Sequence, residues 1–181
     1  MQIGEHLDPA ALEPFDEEIG SARHGKNIPE RFCAVYAYAN RIHTDEEIRA
    51  IRAFCRRHGL KPVALGFQQR WLKHFVTNDP FSLLAWFTKA DFVITDTFHG
   101  TIFSAKYARR FAVIMRESNR NKLGDLCRKL GVEDHVLDGM EDLERAYGLE
   151  DAREKVKAVC LAERARTLRY LSDAVGGGED E

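Results

Sequence analysis

No stretch of the 181 residues is apolar for long enough to cross a bilayer as a helix. The amino terminus, MQIGEHLDPA, lacks the basic flank and apolar centre of a secretory signal. Basic charge is not in excess: 27 Lys and Arg against 29 Asp and Glu leave a net charge of −2. A nucleic-acid partner, which wants a basic surface, is therefore not expected. Cysteine is scarce, and Cys33, Cys55, Cys127 and Cys160 lie far apart with no C-x-x-C pair. They read as buried reduced thiols of a cytoplasmic protein rather than as a zinc site or a disulfide framework. No carboxylates or histidines pair at ligand spacing on one element, so no metal is expected. The phosphate-loop pattern G-x-x-x-x-G-K-[ST] and the dinucleotide pattern G-x-G-x-x-G are both missing. A haloacid-dehalogenase phosphatase would place a second Asp two residues after Asp96, where this chain has Phe98.

What is present describes one soluble domain. The hydrophobic fraction of 44% is enough to build a core. Residues 1–30 hold Pro9, Pro14, Pro29 and three glycines without a sustained period; they read as an irregular arm or inter-lobe linker, with one helical turn near Asp16. Residues 31–175 read as the folded lobe and 176–181 as a disordered tail.

Within the lobe, strands and helices alternate. RFCAVYAYA, KPVALGF, DFVIT and RFAVIM are continuous apolar runs, and HVLD is a short fifth strand. Helices carry clear punctuation. Thr44 and Glu47 make a capping box before a stripe of Ile48, Ile51, Phe54 and Cys55, and Gly59 stops it. Asp79 and Pro80 open a second helix. A third covers TIFSAKYA. A fourth presents Leu123, Leu126, Cys127 and Leu130 on one face, with Gly131 as its stop. A charged helix from Glu150 to about Ala174 turns Val156, Cys160, Leu168 and Leu171 inward. Such alternation implies a Rossmann-like parallel sheet of about five strands with helices on both faces. Ligands of such sheets sit beyond the carboxyl ends of the strands, where the strand order reverses. If the first and third strands meet there, the loops YANRIH and TDTFHG converge.

The second of these loops belongs to FVITDTFHGTIF, Phe92 to Phe103. It runs from a strand end to a helix start, where backbone N–H groups and the helix dipole favour an anion. Gly100 lets a ligand approach, His99 can bond an anion or carry a proton, and Thr97 and Thr101 add hydroxyls. Asp96 either caps the helix, the commoner role for Asp there, or orients His99. The segment GFQQRWLKHFVTNDP reads as packing around Trp71, with sugar stacking as the alternative. His43, His58 and His135 sit at element boundaries and read as caps or surface.

ADFVITDTFHGTIFSAKYARRFAVI resembles the signature of the polysaccharide pyruvyl transferase family: an apolar strand, Thr-Asp-Ser/Thr-Phe-His-Gly, a helix and the next strand. LDPAAL resembles the family's segment between two lobes, VYAYANR its strand opening the C-terminal lobe, and SNRNKLGDLCRKLGVEDHVL its Arg-containing helix. Arg109-Arg110 stand where the family often has Lys-Pro. The resemblance, from about Leu7 to Leu137, implies the C-terminal lobe of a two-lobe enzyme of glycosyltransferase-B type. An N-terminal lobe is then an expected partner, with the chain either a fragment or a natural half.

The activity implied is transfer of pyruvate from phosphoenolpyruvate, as co-substrate and without a cofactor, onto a glycan acceptor of a polysaccharide or exopolysaccharide. His99 is the implied catalytic residue, as general acid or as phosphate ligand. Asn40, Arg41, Thr97, Gly100, Thr101 and Arg120 are the implied substrate-binding residues. Arg120 is equally readable as an exposed residue opening a helix, and Arg41 as a loop residue without a fixed partner. Two other readings stand beside this one: a glycosyltransferase-like lobe binding a nucleotide sugar, and a non-catalytic half-domain binding an anion or a partner.

Overall fold

The computed structural model describes residues 6–22, 28–77 and 79–176. Among them lie six strands: β1 (Phe32–Tyr36), β2 (Lys61–Leu65), β3 (Phe75–Val76), β4 (Phe92–Thr95), β5 (Phe111–Ile114) and β6 (Val136–Leu137). The helices are α1 (Pro9–Leu12), α2 (Asp16–Ser21), α3 (Asp45–Arg57), α4 (Pro80–Lys89), α5 (Phe98–Tyr107), α6 (Arg120–Leu130), α7 (Leu143–Tyr147) and α8 (Arg153–Gly176). The strand order is β3-β2-β1-β4-β5-β6, with every pair parallel. The chain builds outward from β1 in one direction through β2 and β3. It then returns to add β4, β5 and β6 on the other side. The order therefore reverses between β1 and β4, which pair as Tyr36 with Thr95 at their carboxyl ends.

Period-two alternation feeds both faces of the sheet. Phe32, Ala34, Val63, Leu65, Val93, Phe111 and Val113 face a core closed by α4, α5, α6 and α8. Cys33, Val35, Ala64, Phe92, Ile94, Ala112 and Ile114 face a second core under α3 and α7. Both layers are apolar, which is why the strands read as unbroken apolar runs. The four cysteines are free and buried.

The helix boundaries follow their local chemistry. Thr44 and Glu47 form the capping box of α3. Asp79 Oδ1 accepts from the amides of Phe81 and Ser82, with Pro80 at the first helical position. Gly131 ends α6 at φ 68°, a conformation that costs glycine least.

Three expectations change. The sheet has six strands: β3, only two residues long, pairs with Ala64 and Leu65 and is too short to show a period. The outer half of α8 does not turn Leu168 and Leu171 inward; each is 50% exposed, while Val156 and Cys160 are buried. A 24-residue helix spans about 36 Å, and beyond Cys160 it meets the arm, through Arg164 to Glu13, Thr167 to His6 and the Tyr170 ring on the His6 ring. His135 is buried, its ring stacked on Phe111 at 3.9 Å.

The arm carries two short helices: α1, whose end is tied to the lobe by Lys106 Nζ donating to the carbonyls of Ala10 and Glu13, and α2, which packs against α4. Residues 1–5, 23–27 and 177–181 lie outside the described residues, and with them most of the expected tail.

Candidate functional site

Only Asp96 and Thr97 separate β4 from α5. The helix begins at Phe98, three residues before the apolar run suggested, so His99 and Gly100 belong to its first turn. Thr97 is the cap. Its Oγ1 accepts from the Gly100 amide at 2.9 Å, and its carbonyl accepts from the Thr101 amide at 3.0 Å and the Thr101 hydroxyl at 2.9 Å. Thr95 Oγ1 accepts from the Thr97 amide at 3.2 Å. Thr97 and Thr101 are buried, so both hydroxyls and the amides of Gly100 and Thr101 serve the helix start itself. They are not spare donors for an anion.

Gly100 is explained by crowding rather than by ligand access. A Cβ there would lie 2.5 Å from Thr97 Oγ1, 2.6 Å from the Tyr36 ring and closer still to Thr95 Oγ1.

His99 points the other way. Its side chain is 55% exposed, with Nε2 3.9 Å from Asp8 Oδ1. Phe103, one turn on, stacks beside it at 6.1 Å, and Phe98 meets it edge-on at 5.7 Å. Lys122 Nζ stands 4.3 Å from the Phe98 ring centre. The amides of Phe98 and His99 precede the first intrahelical bonds and have no partner among the described residues. An exposed imidazole, two open amides and the positive end of a helix dipole thus coincide at the reversal point. Phe103 is shared with a cleft of about 330 Å³ between α4 and the end of β2, lined also by Phe15, Tyr36, Phe67 and Phe81.

Asp96 does not cap α5, because its carboxylate is drawn underneath. It is fully buried, and Oδ2 lies 3.2 Å from Arg41 Nε and 3.1 Å from Arg116 Nε. Arg116 also pairs with Glu47, the carboxylate of the α3 capping box. Asn119 Nδ2 donates to the Asp96 carbonyl at 2.8 Å, while Asn119 Oδ1 accepts the Arg116 amide at 2.9 Å. Burial pushes the Asp96 carboxyl above its ordinary range, outweighing the pull of Arg116 and Arg41. For Glu47 burial also pushes upward, but the hydrogen bonds from Arg116 and Thr44 prevail and hold it below.

The remaining candidates separate. Arg41 has fixed partners after all: Asp96 and, through Nη2, Ser118 Oγ at 2.8 Å. Asn40 adopts φ 53° and accepts the Arg70 amide at 2.9 Å, which locks it to the loop after β2. Arg120 is exposed and lines a separate polar hollow of about 490 Å³ with Asn121, Arg128 and Asp138. Trp71 packs: its Nε1 donates to the Ile42 carbonyl and Arg52 lies over its ring. Arg116, Lys122 and Asp8 were missed as site residues. Only Arg116 left a signal, as the first charged residue after β5. Among the described residues no three His, Cys, Asp or Glu side chains cluster as a metal would need, and no helix is long and apolar enough to cross a membrane.

The crystal structure of CalG4, the calicheamicin glycosyltransferase, matches with a TM-score of 0.50 at 14% identity, over 95% of this chain and 52% of that one. The chain thus spans about half the length of that neighbour, and the likeness concerns the fold. A search of the curated proteins found no match. The sequence model of a family described as polysaccharide pyruvyl transferase matches residues 7–118, a span running from the Asp8 segment through β1, β4 and His99 to the Arg116 turn. With more than half its length so matched, the chain belongs to the polysaccharide pyruvyl transferase family.

Proposed function

We propose that this chain is the donor-binding lobe of a pyruvyl transferase that moves pyruvate from phosphoenolpyruvate onto two hydroxyls of a glycan. The observation that carries the reading is the placement of His99: exposed, in the first turn of α5, beside two open amides at the sheet's reversal point. Family membership supplies the reaction class.

The chemistry has three requirements. The methylene carbon of phosphoenolpyruvate gains a proton and becomes a methyl group. The neighbouring carbon, as positive charge develops, accepts one glycan hydroxyl. A second hydroxyl then displaces phosphate to close the ketal, and both hydroxyl protons leave. An imidazolium at His99 serves either the protonation or the departing phosphate. The Phe98 and His99 amides and the helix dipole favour the donor's negative charge. Thr97, Gly100 and Thr101 build the turn that presents them. A facing N-terminal lobe would close the site and supply the acceptor's other contacts.

Calorimetric titration of the 181-residue chain with phosphoenolpyruvate tests the reading. Binding is expected, weakened at least tenfold in His99→Ala. Unchanged binding in that variant rejects His99 as the donor's ligand. Thermal stabilisation by a nucleoside diphosphate but not by phosphoenolpyruvate would replace the reading with a nucleotide-sugar lobe.

A further inference from the structure

One side chain joins three of the loops at the carboxyl edge of the sheet. Arg116 leaves β5 and reaches Asp96, at the exit of β4, through Nε at 3.1 Å. Through Nη1 it reaches Glu47, in the first turn of α3. The Asn119 side chain closes the same turn by accepting from the Arg116 amide and donating to the Asp96 carbonyl. Arg41, from the loop after β1, adds a second guanidinium to Asp96 Oδ2 and bonds Ser118. The β1, β4 and β5 exits are thereby fixed to one another by charge.

Such a cluster is a poor way to gain stability. Desolvating buried ions costs about as much as their pairing returns, and apolar residues of the same size often do as well. Here the cost is visible: Asp96 Oδ1 and Arg116 Nη2 are buried without a hydrogen-bond partner among the described residues. What the cluster does provide is direction. Forked, charge-assisted bonds hold a backbone turn to a definite place. The turn held is the one immediately before the Thr97 cap, three residues ahead of His99.

Resting on the reading of His99 as the donor's ligand, we propose that Arg116 is a positioning residue: through Asp96 it sets where the first turn of α5, and with it the His99 imidazole, faces the donor. Neither Arg116 nor Asp96 is a catalytic residue in this assignment. Asp96 has no exposed surface with which to touch a substrate.

The test uses the full chain, with Arg116→Gln, Arg116→Lys and the double variant Arg116→Gln/His99→Ala. Three quantities are measured: affinity for phosphoenolpyruvate by calorimetry, the ¹H–¹³C signals of the His99 ring by NMR, and the melting temperature. For a folded Arg116→Gln, the expectation is affinity reduced about tenfold or more and a displaced or broadened His99 signal. In the double variant, replacing Arg116 should add no loss beyond that of His99→Ala. Lower melting with an unchanged His99 signal and unchanged affinity overturns the proposal, since a merely structural role predicts that pattern. Equal, additive losses in the double variant overturn it as well. Should Arg116→Gln fail to fold, Arg116→Lys keeps the charge without the fork, and a partial loss of affinity with a displaced ring signal is expected. If the unaltered chain binds no phosphoenolpyruvate, the donor reading falls. The His99 ring signal in the Arg116 variants then decides the positioning role alone.

Discussion

Gly100 is pressed against Thr95: a methyl group on its α-carbon would sit well inside van der Waals contact of the Thr95 hydroxyl, with the Thr97 hydroxyl and the Tyr36 ring almost as close. The glycine that follows the histidine is thus required by the β1–β4 packing beneath it. Gly100→Ala is expected to destabilise the fold by about 1–3 kcal/mol, the usual cost of forcing an extra carbon into a packed interior. Gly124, on α6, has nothing within 4 Å of its missing Cβ. Gly124→Ala is expected to stabilise by about 0.5–1 kcal/mol through helix propensity. Denaturant unfolding of both variants checks the contrast, and equal shifts in the same direction would contradict it.

The sequence disclosed whatever was locally determined. The Thr44–Glu47 box, the Asp79-Pro80 start, the Gly131 stop and the buried face of α6 each depend on residues within one or two turns, and each stands where its pattern put it. The parallel sheet covered on both faces was legible because doubly buried strands read as unbroken apolar runs; the strand order was not, since pairing of β1 with β4 leaves no mark in either strand's own pattern. The role of Asp96 was not. Local preference assigns an Asp before a helix to the cap, but Arg41 and Arg116, distant in sequence, claim its carboxylate and leave the cap to Thr97. For the same reason Arg116 was overlooked: its partners come from two other loops. Leu168 and Leu171 share a stripe with Val156 and Cys160, yet periodicity cannot say where the body under a long helix ends.

His135 offers a measurement of pH dependence. Its ring is buried against Phe111, with Nδ1 3.0 Å from the Phe111 carbonyl, so the neutral ring donates from Nδ1. Burial lowers its pKa from the ordinary value, more than the carbonyl bond raises it. The unfolded chain, where a histidine titrates near about 6.5, therefore binds the proton more readily than the folded one. The contribution to stability is complete above that value and declines as pH falls toward the lowered folded pKa. Unfolding free energies of the unaltered chain and His135→Gln, measured from pH 7.5 down to about 5, should converge as pH falls. A difference constant over that range would show that the ring is not neutral and buried in the folded state.

Lys106 anchors the end of α1. Its Nζ donates to the carbonyls of Ala10, at 2.9 Å, and Glu13, at 2.5 Å, and lies over the Phe15 and Tyr107 rings. These are carbonyls at the carboxyl end of α1, which otherwise have no helical donor. Burial lowers the lysine pKa from its ordinary value, and the nearby carboxylates of Asp16 and Glu13 offset that only in part. Lys106→Met keeps the stem and its packing but removes both donors. The expected result is a lobe that melts within a few degrees of the unaltered chain while α1 and α2 loosen. Limited proteolysis reads this directly: cleavage between Pro9 and Ser21 should quicken several-fold, with the lobe from β1 onward still resistant. The arm carries Asp8, 3.9 Å from the His99 ring, so the same variant should also shift the His99 NMR signal. An arm that resists cleavage as before, with that signal unmoved, would mean that the arm is held by its Leu7 and Ala11 contacts and not by the lysine.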